Sequence, residues 1–93
     1  MYQINLIVTG TVQGVSYRRF AKTWADHFNI KGWCRNTDTG QVEITAEGSK
    51  EEIDNYIDKL KEGPPLSKVD GIKVTRNLHI SAFNSFTIKD KHF

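Results

Sequence analysis

Cysteine is nearly absent from this chain: Cys34 is the only one in 93 residues. A lone thiol excludes an internal disulfide and suits a reducing, cytoplasmic setting. Long apolar runs are missing too. Leu6-Ile7-Val8 is the longest at three residues, too short for a membrane span or for the apolar core of a signal peptide. No membrane association is expected. Charge of one sign is also lacking. Thirteen Lys and Arg stand against 11 Asp and Glu, for a net charge of +2, and the two signs are interspersed. No basic stripe forms, so no nucleic-acid partner is expected. His27, His79 and His92 have no metal-ligand spacing, so neither a metal nor any other cofactor is expected. There is no repeat, low-complexity segment or linker. Residues 1–93 read as a single domain, able to bury roughly 60–65% of its unfolded surface.

What is present begins with Gly10-Thr11-Val12-Gln13-Gly14-Val15-Ser16-Tyr17-Arg18. Before it, Tyr2, Ile4, Leu6 and Val8 alternate with Gln3 and Asn5, the period of a half-buried strand. After it, Tyr17, Phe20, Ala21, Trp24 and Phe28 fall on one helical face, with a stop region near Gly32. The stretch is therefore a strand-to-helix turn with two glycines and no acidic residue. Unsatisfied N–H groups and the positive end of the dipole make a helix start attractive to anions. An arginine fork can grip phosphate or carboxylate with two hydrogen bonds. The stretch reads as an oxyanion cradle. It matches neither G-x-x-x-x-G-K-[ST] nor G-x-G-x-x-G, which sets nucleotide-binding loops aside.

A second cluster, Gly32-Trp33-Cys34-Arg35-Asn36-Thr37-Asp38-Thr39-Gly40-Gln41-Val42, reads as strand, tight turn and return strand. Asn36 sits where strand becomes turn. Taken alone it has two readings: an amide pointing into a site, or one that caps its own turn. Further on, Ser49-Lys50-Glu51-Glu52 has the form of a capping box, and Ile53, Tyr56, Ile57 and Leu60 make one face of a second helix. Gly63-Pro64-Pro65 ends it. Val69, Ile72 and Val74 suggest a fourth strand, and Phe83, Phe86 and Ile88 a short last one. The order βαββαβ, with an extra edge strand, is similar to the ferredoxin-like α+β sandwich, an antiparallel sheet with two helices on one face. That fold hosts many activities and assigns none.

Together the two clusters resemble the acylphosphatase family, through G-x-V-Q-G-V-x-[FY]-R at Gly10 to Arg18 and G-W-x-[KR]-N-x-x-x-G-x-V at Gly32 to Val42. The segment Gly63 to Val69 also resembles the family's link from second helix to fourth strand, so the similarity covers nearly the whole chain. Thr11, Tyr17 and Cys34 depart mildly, standing where basic, Phe and Val residues are usual. The resemblance implies hydrolysis of a small acyl phosphate to a carboxylate and phosphate. It implies that Arg18 binds the phosphate and Asn36 positions the attacking water. The loop Thr11, Val12, Gln13, Gly14 and Val15 would then bind phosphate, with Gln13, Gly14 and Val15 contributing mainly backbone.

Other residues have plainer readings. Arg19 reads as solvated, Tyr17, Trp24 and Phe28 as core, Trp33 as sheet packing, and Cys34 as a small buried hydrophobe rather than a nucleophile. Thr37 reads equally as a site or a turn residue. Two further functions are weighed. A non-catalytic binding module of the RNA-recognition kind needs exposed aromatics alternating along a basic strand, which Tyr2 and Trp33 do not supply. A carbamoyl-phosphate-handling domain would share the cradle within a longer protein, whereas the length of this chain suits a stand-alone, monomeric enzyme.

Overall fold

Alternation along the first strand sets the architecture. In the computed structural model, which describes residues 1–77 and 82–89, β1 (Tyr2–Thr11) buries Ile4, Leu6 and Val8 on one face. The chain continues through α1 (Tyr17–His27), β2 (Lys31–Asn36), β3 (Val42–Gly48), α2 (Lys50–Glu62), β4 (Lys68–Asn77) and β5 (Phe86–Lys89). The five strands form one sheet in the order β4-β1-β3-β2-β5. Val42, Ile44 and Ala46 of β3, Cys34 of β2 and Phe86 of β5 meet Tyr17, Ala21 and Ala25 of α1 and Ile53, Tyr56 and Leu60 of α2 in one core. Trp24 and Phe28 pack against it half-buried. The opposite face of the sheet is polar, with Arg35 and Glu43 joined at 2.7 Å.

The sheet is mixed rather than antiparallel throughout. β1 pairs antiparallel with β3 and β4, and β2 antiparallel with β3, but β5 pairs parallel with β2. The direction follows from where the chain must go. β4 runs opposite to β1 along one edge, and β5 lies at the far edge beside β2. The chain returns from the end of the sheet at which β4 finishes, the same end from which β2 departs, so β5 runs as β2 does. The last strand also begins later than Phe83. Ala82 and Phe83 instead donate their N–H groups to the Glu47 carboxylate. His79, His92 and the charged tail after Lys89 lie outside the described residues.

Two buried tyrosines fix the helices to each other. The Tyr17 hydroxyl donates to the Leu60 carbonyl at 2.7 Å, and the Tyr56 hydroxyl to the Ala21 carbonyl at 2.8 Å. Each phenol thus satisfies its polar tip on a backbone of the other helix while its ring fills the core. Tyr17 is the first residue of α1, so one of these bonds anchors the helix start beside Arg18.

Candidate active site

β1, β2 and β5 all run toward the same end of the sheet, and the cleft lies there. β1 passes Val8 and shifts register between Thr9 and Gly10, beside Gly71 and Val69 of β4. Gly10 takes φ 123°, and a side chain on it would collide with the Lys68 carbonyl oxygen, so this close approach needs glycine. The bend turns Val12 inward, where it is buried. Gly14 follows with φ 74° and open space around it, so conformation rather than crowding demands glycine.

Ser16 then adopts φ 65°, a left-handed conformation uncommon for a residue with a side chain. It precedes α1 without capping it. The contrast with α2 is direct. There Ser49 accepts from the Glu52 N–H at 3.1 Å and the Glu52 carboxylate accepts from the Ser49 N–H at 2.8 Å. The first N–H groups of α2 are capped by its own side chains, whereas the start of α1 has no side-chain cap. An uncapped helix start holds ready donors and the positive end of the dipole.

The cleft at this point has a volume of about 350 Å³. Val12, Gly14, Ser16, Tyr17, Arg18 and Arg19 line it from the loop and α1, Asn36 from the end of β2, and Ile88 from β5. Among the described residues its polar side chains are those of Arg18, Arg19, Asn36, Ser16 and Tyr17, and no carboxylate, histidine or thiol lines it. Arg18 is half-buried, and its Nη1 donates to the Lys89 carbonyl at 3.2 Å, which holds the guanidinium at the cleft from the β5 side. Arg19 is exposed at the rim.

Asn36 does not brace its turn through its side-chain oxygen. Thr37 does that work: its N–H donates to the Gln41 carbonyl at 2.9 Å, and its hydroxyl oxygen accepts from the Gln41 N–H at 3.1 Å. Among the described residues, Asn36 Oδ1 is buried and has no hydrogen-bond partner. An unsatisfied buried acceptor is costly and rare, and in a cleft it marks where a ligand or water belongs.

Cys34 lies under the site but does not enter it. Its thiol donates weakly to the Arg18 carbonyl at 3.7 Å. Burial pushes the thiol up to about 12, against the opposing pull of Arg18 and Lys22. Burial likewise raises the phenols of Tyr17 and Tyr56.

The structure thus brings together Arg18, Asn36, Val12 and Gly14 of the residues expected from sequence. Thr11, Gln13 and Val15 do not line the cleft; Thr11 ends β1 exposed, and Val15 packs against the core. Ser16, Tyr17, Arg19 and Ile88 line it and were not anticipated there. Ser16 and Tyr17 were findable as members of the loop, whereas nothing local to Ile88 signals a cleft.

Comparison with known proteins bears on what such a cleft does. The acylphosphatase family model matches residues 4–88. An acylphosphatase of Bacillus licheniformis is 41% identical over 88 residues, covering 95% of this chain and 98% of the relative. The crystal structure of acylphosphatase from Bacillus subtilis superposes with a TM-score of 0.93 at 39% identity, over 96% of this chain and 99% of the other. A stretch making up 13% of full-length HypF, in its phosphate- and nucleotide-bound form, matches with a TM-score of 0.80 at 28% identity.

Proposed function

Because this chain belongs to the acylphosphatase family, we propose a division of labour between Arg18 and Asn36 in the reaction it catalyses. That reaction is hydrolysis of an acyl phosphate to a carboxylate and inorganic phosphate. An acyl phosphate is a mixed anhydride, and its leaving group is a weakly basic carboxylate that departs without a strong general acid. Phosphoryl transfer through a loose transition state asks the protein for position and positive charge more than for covalent chemistry. Arg18 holds the phosphate by its planar fork. Of the loop Thr11–Val15, the backbone N–H groups at Val12 and Gly14, together with those at the start of α1, complete the cradle. Asn36 Oδ1 accepts a hydrogen bond from the attacking water and holds it in line with the breaking P–O bond. The water oxygen bonds to phosphorus, its proton passes to the phosphate, and the carboxylate leaves with the electron pair of the broken bond.

One observation carries this reading: Asn36, whose side-chain oxygen is buried and without a partner among the described residues, lines the same cleft as Arg18. In this reading Arg18 and the backbone donors supply the positive charge, and the reaction needs no metal. The chain works, in this reading, as a single-domain monomer in the cytoplasm. Among the described residues no helix is long and apolar enough to cross a membrane. Acetyl phosphate turnover tests the proposal. Activity is expected to survive a strong chelator, to be lost in Arg18→Ala, and to be rescued little by Arg18→Lys, which keeps the charge and loses the fork. Activity that dies in chelator and returns with a divalent ion, or an Arg18→Lys as fast as wild type, contradicts it.

A further inference from the structure

Gln13 belongs to the phosphate loop by sequence, yet its side chain leaves the cleft. Its Nε2 donates to the Thr37 carbonyl at 2.9 Å and to the Gln41 carbonyl at 2.8 Å. These two carbonyls belong to the two sides of the β2–β3 turn, one residue beyond Asn36 and one before Val42, which the Thr37 N–H joins by donating to the Gln41 carbonyl. Both N–H groups of one amide are spent on them. We propose that Gln13 is a positioning residue: its amide locks the phosphate loop to the turn that carries Asn36, and so sets the distance from the bound phosphorus to the held water.

Topology explains why such a lock is needed. The loop follows β1 and Asn36 ends β2, but β3 lies between those strands. β1 stops pairing with β3 at Val8 opposite Val42, so the chain beyond Val8 has no ladder bond toward the turn. Among the described residues, the two Gln13 bonds are the hydrogen bonds that join loop and turn. The chemistry is also selective. A glutamate here would set a carboxylate against two carbonyl oxygens, an asparagine falls a methylene short, and an apolar side chain donates nothing. In-line attack is sensitive to such spacing, since a misplacement of about 1 Å costs on the order of 100-fold.

This inference rests on Asn36 holding the water, and the experiment separates the two. Gln13→Met, of similar length and without donors, is made in the wild-type and the Asn36→Ala backgrounds. kcat for acetyl phosphate and the inhibition constant of inorganic phosphate are measured at a temperature where every variant is folded. Gln13→Met is expected to lower kcat about 10- to 100-fold and to move phosphate inhibition less than about 3-fold. In the Asn36→Ala background it is expected to lower kcat less than about 3-fold further, because the residue it positions is gone. A wild-type kcat in Gln13→Met overturns the proposal. So does a loss of phosphate affinity as large as the loss in kcat, or losses that multiply across the two backgrounds. If Gln13→Met does not fold, Gln13→Asn keeps the amide and carries the same test; its kcat is expected to fall at least about 5-fold with phosphate inhibition unchanged. Asn36→Ala keeping its own kcat sinks the water-holding role and the lock with it. Asn36→Ala dead beside an active Gln13→Met sinks the lock alone.

Discussion

Cys34 illustrates how close a reactive residue type can lie to a site without serving it. Its thiol touches the Arg18 carbonyl, but burial holds it protonated through the neutral range, and a thiol is a poor nucleophile. Cys34→Ala is therefore expected to keep most of its turnover and to lose about 1 kcal/mol of stability from the trimmed side chain. A folded Cys34→Ala without activity, in parallel rate and melting measurements, contradicts that assignment. Arg18 was legible in sequence because the loop motif selects it over its neighbour Arg19, and the structure holds Arg18 half-buried while Arg19 stays exposed. Asn36 was legible only as an ambiguity. Its turn admits a self-capping amide, and the Thr37 hydroxyl that takes the bracing role could not be inferred from turn propensity. The Gln13 amide and Ile88 were invisible for a physical reason. Each acts against partners distant in sequence, and local period carries no trace of that.

At the scale of elements, the two helix starts differ in what satisfies their N–H groups, and two predictions follow from the difference. α2 carries its own cap, so Ser49→Ala is expected to cost about 1 kcal/mol, a drop of roughly 4–8 °C in melting midpoint, with turnover at 25 °C unchanged. A midpoint equal to wild type contradicts the cap. α1 leaves its start to a ligand, so saturating inorganic phosphate is expected to raise the midpoint. At about 100 times its dissociation constant the gain is roughly 2.7 kcal/mol, or about 11–22 °C. Most of that shift should vanish in Arg18→Ala. Identical melts with and without phosphate, at matched ionic strength, contradict an anion site at α1. Both helices and the first three strands were legible because amphipathic period and capping are local signals. The direction of β5 was not. Four residues set no orientation by themselves; the orientation comes from the end of the sheet at which β4 leaves the chain.

Across the whole molecule, topology does for the site what no single element does. β1, β2 and β5 deliver the loop, Asn36 and Ile88 to one end of the sheet, and the Tyr17–Leu60 and Tyr56–Ala21 bonds keep α1 seated over it. The same burial makes the fold sensitive to base. Cys34 titrates at about 12 in the fold against an ordinary 9.0, and the Tyr17 and Tyr56 phenols are raised as well. Each group binds its proton more tightly folded than unfolded. Their contribution to stability is complete below about pH 9 and is lost as pH rises toward 12. Denaturant midpoints from pH 7 to 11 should fall above pH 9, less steeply in Cys34→Ala; a flat profile contradicts the assignment. The central claim is narrower: Arg18 binds phosphate, and Asn36 binds only the water that attacks it. Phosphate affinity of folded Asn36→Ala, titrated beside its acetyl phosphate turnover, tests this most directly. The predicted result is near wild-type phosphate affinity with turnover reduced at least about 100-fold, a loss confined to the transition state. Turnover retained, or phosphate affinity lost as badly as in Arg18→Ala, would contradict it.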